Sequence, residues 1–139
     1  MVKVKLVENA IAAPKSLSIV RVIAQSEADD RHVLATDCHV ARSRIAKSRG
    51  LMGKKPLQPD TALVFPFSST APRRIHTMFV RETIDVLWIS QEQVTAIETM
   101  DPWSIGPKHR ADMIIELPAD TATSIDSGWI VRLDASSGD

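Results

Sequence analysis

The chain of 139 residues lacks most of the features that announce a function. It holds one cysteine, Cys38, so no intrachain disulfide can form and nothing argues for an oxidising compartment. Long apolar runs are missing: stretches such as 86–89 and 113–115 fall far short of the roughly 18 residues a transmembrane helix needs. Residues 1–6 alternate Lys with Val rather than forming a signal-peptide core. No membrane span is expected, and a cytoplasmic location is the default. Metal-ligand spacing is absent as well. Cys38 and His39 are adjacent, which in a strand sends them to opposite faces, and His32, His76 and His109 show no ligand spacing with one another. Neither a metal nor a cofactor is expected, and Cys38 reads as a packing residue. Gly50 and Gly53 follow a helical pattern rather than opening one, so they suit a helix C-terminal cap and not a phosphate loop. The chain has no internal repeat and no low-complexity segment.

What is present fits one globular domain over 1–139: 44% hydrophobic and 24% charged residues on a chain long enough for a single core. Net charge is zero, but its distribution is uneven. Residues 31–81 carry ten Lys or Arg against Asp37 and Asp60, a net +8, whereas 82–139 carry three basic residues against eleven acidic ones, a net −8. A basic layer packed beside an acidic one accounts for this split without any partner; an exposed basic face is the alternative. Strand patterns occur at 2–6, 17–23, 32–40, 61–65, 75–80, 84–89, 94–100, 112–117 and 128–133, with loops over 25–30 and 68–72. One short basic helix is expected over 41–50, stopped by Gly50. The expected fold is therefore α+β and strand-dominated, a mostly antiparallel sheet in a barrel- or sandwich-like domain with that helix packed beside it. The 75–80, 84–89 and 94–100 runs read as a meander, and 134–139 as a frayed tail.

The residues that ask for an explanation are ionisable groups set in apolar runs. Asp85 lies among Ile84, Val86 and Leu87, where a carboxylate is costly without a partner. If 75–80 and 84–89 form a hairpin, Arg81 can reach Asp85 as a charge-assisted partner. His76 shares a strand face with Arg74, Met78 and Val80, opposite Ile75, Thr77 and Phe79. A structural Arg81–Asp85 pair is the default; the alternatives are a polar pocket for a small anionic ligand and acid–base chemistry by His76 and Asp85. Trp103, in a proline-flanked loop, by default plugs the end of the barrel or sandwich, with a partner anchor as the alternative. Arg42, Arg44, Lys47, Arg49, Lys54 and Lys55 place six cations in fourteen residues with no acid. No aromatic residue interleaves them, so a solvated helix face is expected rather than a nucleic-acid surface.

Taken in order, Arg49-Gly50-Leu51-Met52-Gly53, Ala62-Leu63-Val64-Phe65, His76-Thr77 followed by Arg81, Ile84-Asp85-Val86, Pro102-Trp103 and Glu116-Leu117-Pro118-Ala119 resemble the family called domain of unknown function 192. The resemblance spans 33–133 and leaves 1–30 outside. Thr83 stands where that family often has proline, Asp120 where it often has glycine, and Trp129 where a Gly-Asp pair is common. The resemblance implies a compact strand-dominated fold with a helix beside the sheet, and it transfers no activity. The expected role is a non-catalytic module binding a small anionic ligand or a protein partner around His76, Arg81, Asp85, Trp103 and Arg49. A small enzyme and a nucleic-acid-associated protein are the alternatives.

Overall fold

The computed structural model describes residues 18–41 and 57–137. Eight strands form one sheet: β1 (Ser18–Gln25), β2 (Arg31–Ala35), β3 (Asp37–Val40), β4 (Thr61–His76), β5 (Ile84–Ser90), β6 (Gln93–Met100), β7 (Ile105–Pro118) and β8 (Ile130–Ser137). Their order is β2-β1-β8-β6-β5-β7-β4-β3, an open sheet that among the described residues ends at β2 and β3. All pairings are antiparallel except β3 with β4, so the sheet is mixed. It curls enough to bring β1 against β3 without a ladder between them. No helix occurs among the described residues. The helix expected over 41–50 and the strand over 2–6 lie, apart from Ala41, outside them, as do Arg42, Arg44, Lys47, Arg49, Lys54 and Lys55.

The sheet is organised around β5, whose residues Ile84 to Ile89 are all buried. A strand with apolar residues at consecutive positions has two faces to cover, and here each face feeds its own core. Leu87 and Ile89 join Val22, Val64, Ile115, Leu117, Val131 and Leu133, with Ala122 and Ile125 closing that side. On the opposite face Ile84, Val86 and Trp88 join Phe65, Met100, Ala111 and Ile114. The Trp88 indole N–H donates to Arg73 O at 2.8 Å, which satisfies the one polar atom of a fully buried ring.

Three local expectations are corrected. The expected single strand over 32–40 breaks at Thr36, because the Thr36 and Asp37 amides both donate to Asp60 O. The expected loop over 68–72 lies inside β4, which runs on through an irregularity between Pro66 and Ala71. Arg73 stitches this bulge: Nη2 donates to Ser69 O at 2.7 Å, Nε donates to Ala111 O at 2.9 Å, and the guanidinium stacks 3.7 Å over Phe67. Pro66 and Pro72 lie beyond residues 61–64, where β3 pairs with β4, so among the described residues they interrupt no ladder on that edge. Finally, β4 ends at His76, and its partners are β3 and β7 rather than β5. The 75–80/84–89 hairpin does not form, and of the expected meander only β5 with β6 pairs.

Among the described residues two carboxyl groups are buried. Asp85, 2% exposed, accepts Thr99 Oγ1 at 3.0 Å and the Ala122 amide at 2.8 Å, fastening the 119–125 segment to β5. Its partner is thus not Arg81: no hydrogen bond or ion pair joins those two residues. Glu116 lies between Leu63 and Val86 in the ladder, and its Oε1 has no partner. Burial pushes this carboxyl up to about 8 from 4.5. It is a neutral acid at pH 7.

Two outcomes follow from these groups. Asp85→Ala orphans a buried amide and should cost about 2–4 kcal/mol in urea unfolding. For Glu116 the folded state holds a proton that the unfolded chain releases above pH 4.5, so stability is lost as pH rises from there to about 8 and then levels off. Glu116→Gln should remove that decline, gaining roughly 3–5 kcal/mol relative to the parent between pH 4.5 and pH 8.5. Parallel stability curves for the two proteins would refute this assignment.

Candidate functional site

The end of the sheet where β4 stops and β7 begins is built around one buried hydroxyl. Thr77 is 0% exposed, and its Oγ1 donates to Asp101 O at 2.6 Å while accepting the Ser104 amide at 2.7 Å. Its own amide donates to Ser104 O at 2.8 Å, and its carbonyl accepts the amides of Trp103 at 2.9 Å and Val80 at 3.1 Å. One threonine therefore ties the 77–80 turn to the 101–104 turn. Thr83 Oγ1 adds a 2.9 Å bond to Asp101 Oδ1. At neighbouring Gly106 an added Cβ would lie 3.1 Å from Met100 Cε and 3.3 Å from Ile75 O, so the absence of a side chain allows this close approach.

The fastened turns present Phe79 and Trp103 to solvent, 56% and 59% exposed, with ring centroids 4.6 Å apart at an interplanar angle of 57°. Both have left-handed backbones, with φ of 61° and 63°. For large side chains that conformation costs about 1–2 kcal/mol each. Ile105, 63% exposed and paired with His76 across β4 and β7, extends the apolar surface. Phe79, Val80, Arg81, Pro102 and Trp103 line an open depression of about 530 Å³. Arg81 is exposed there and has no ion pair or hydrogen bond with any described residue.

The expected site residues separate into two groups. Arg81 and Trp103 share the depression; His76 stands exposed at the end of β4, where its Nδ1 accepts the Met78 amide at 3.2 Å. Asp85 is buried and bonded to Thr99 and Ala122, so it does not join them. His76 and Asp85 consequently form no acid–base pair. Trp103 does not plug the sheet. Phe79 and Thr77 were not apparent as site residues, because a strand over 75–80 places them on an ordinary alternating face and nothing in the sequence marks a left-handed phenylalanine. Arg49 and the rest of the basic set lie outside the described residues. Among the described residues no three His, Cys, Asp or Glu side chains converge to hold a metal. Burial, with Asp37 adding to it, pushes the Cys38 thiol up to about 12, leaving it un-ionised at neutral pH.

Comparisons with known proteins agree with this architecture. A UPF0127 protein of Pyrococcus horikoshii is 40% identical over 93 residues, covering 64% of this chain and 78% of that protein. A crystal structure described as a putative transcription regulator from Sinorhizobium meliloti superposes with a TM-score of 0.72 at 23% identity, over 86% of this chain and 95% of that one. A protein of unknown function from Novosphingobium aromaticivorans superposes with a TM-score of 0.68 at 19% identity, over 82% and 84% of the two chains. At these identities the two structures share the fold with this chain and nothing more specific. The model of the uncharacterised family DUF192, described as Uncharacterized ACR, matches residues 24–133, and the chain belongs to that family.

Proposed function

We propose that this protein is a non-catalytic binding module whose recognition surface is the Phe79–Trp103 pair with Arg81. The observation that carries the reading is the strained backbone under both rings: two large aromatics are held in left-handed conformations only to be left in water. The contact between the two rings offsets part of that cost on folding, and a partner covering them would offset more. The depression is open to solvent, unlike the enclosed clefts that bury most of a small ligand, which favours a segment of a protein partner. Arg81 supplies an unpaired positive charge at its rim, and exposed Arg74 and Lys108 lie opposite each other in the adjoining β4–β7 ladder. A matching segment carries an aromatic or aliphatic side chain next to a carboxylate. The proposal takes the chain as one domain, supported by the pairing of β1 with β8 along its whole length, and as a cytoplasmic protein.

Selection of random peptides displayed on phage tests the reading. The wild-type protein should enrich sequences pairing an aromatic or aliphatic residue with Asp or Glu, and Arg81→Ala or Trp103→Ala should abolish that enrichment. Undiminished enrichment by either variant, or none by the wild type, would sink the proposal. Stability supplies an independent check. Arg81→Ala is an exposed truncation and should change stability by less than about 0.5 kcal/mol. Trp103→Gly exchanges left-handed strain for the lost ring contact and should be within about 1 kcal/mol of the parent while losing all binding.

A further inference from the structure

A second surface lies on the outer face of the β2-β1-β8 ribbon. Along β1 the side chains of Val22 and Ala24 are fully buried in the core, which places Arg21, Ile23 and Gln25 on the other face. Across the ladder, Gln25 is paired with Arg31, Ile23 with Val33 and Arg132, and Arg21 with Asp134. Ile23 is only 6% exposed although it belongs to neither core cluster. It forms part of the lining of a small concavity of about 120 Å³, together with Gln25, Arg31, Arg132 and Asp134.

The charges around this concavity are unevenly spent. Asp134 accepts Arg21 Nη2 at 2.8 Å, and the Gln25 amide donates to Asp29 at 3.0 Å. Arg31 and Arg132 both line the hollow and have no hydrogen bond or ion pair with any described residue, and the carboxylate that shares the lining, Asp134, is already paired with Arg21. The buried Arg21 Nε, beside Asp134, also lacks an acceptor. We propose that this concavity is a binding site for a phosphoryl-type oxyanion, held between the guanidinium forks of Arg31 and Arg132. At about 30 Å³ per water the hollow holds roughly four waters, room for one tetrahedral group rather than a nucleotide. Planar forks with fixed donors suit such oxygens better than point charges do. The adjoining turn carries Glu27, Asp29 and Asp30, so this end of the protein has no general cationic field. Recognition rests on the two forks.

Thermal unfolding in sodium phosphate, against sodium chloride and sodium succinate at equal ionic strength, tests the assignment on the full chain. Tens of millimolar phosphate should raise the wild-type Tm by about 2–4 °C. Arg31→Ala and Arg132→Ala should each retain the parent Tm in chloride, since both side chains are exposed, and lose the phosphate response; Arg132→Lys should recover only part of it. An unchanged wild-type Tm in phosphate, an equal rise in succinate, or a phosphate response surviving in the Arg31→Ala/Arg132→Ala double variant would overturn the proposal. None of these readouts involves the Phe79–Trp103 surface.

Discussion

Burial of β5 on both faces is the constraint on which the rest of the structure depends. Six consecutive residues, Ile84 to Ile89, are removed from water, and alternation sends half of them to each side of the sheet. A single layer cannot cover both. One face is closed by the curl that carries β1, β8 and the Ala122–Ile125 stretch over Leu87 and Ile89; the other packs Phe65, Ala111 and Ile114 against Val86 and Trp88. The length of β4 and β7 follows from the same requirement. Both run beyond β5 as a two-stranded ribbon, and the far end of that ribbon holds the turns that display Phe79 and Trp103.

Within that apolar frame, Asp85 and Glu116 show the two possible fates of a buried carboxyl. Asp85 has both oxygens occupied by donors from two other parts of the chain, so its cost is offset and it becomes a fastener between β5 and the 119–125 segment. Glu116 has an oxygen without a donor and avoids the cost of a buried charge by keeping its proton. The difference lies in the neighbours. Asp85 is opposite Thr99, whereas Glu116 is flanked by Leu63 and Val86.

Elements with clean periodicity were legible in the sequence, and those shaped by distant contacts were not. The β-branched run of β1 and the apolar runs of β5 and β6 state their identity locally. The bulge of β4 does not, because Ser68, Ser69 and Thr70 have the composition of a loop and are held in the strand by Arg73 reaching Ser69 and Ala111. Asp85 was legible as a residue needing a partner, but its partners stand 14 and 37 positions away. The neighbouring Arg81 was merely the closest cation in sequence. Trp103 and Arg81 were visible as candidates from their residue types. Phe79 was not, since its exposure results from the chain leaving the sheet at Thr77, which is fixed by hydrogen bonds to Asp101 and Ser104.

The hydrogen bonds of Thr77 to the turns under Phe79 and Trp103 bear on the role proposed for that surface. Exposed rings on loose loops would lose conformational freedom on binding and forfeit part of the contact energy. Here the loss is taken at folding: Thr77 fixes both turns, and the rings already touch before any partner arrives. Left-handed backbones at two large residues are the cost of that arrangement, and the buried hydrogen bonds of Thr77 hold them in place. In the proposed role a surface preorganised in this way would gain affinity from the contacts it makes, and Thr77, buried beneath the turns, would matter to it as closely as the rings do.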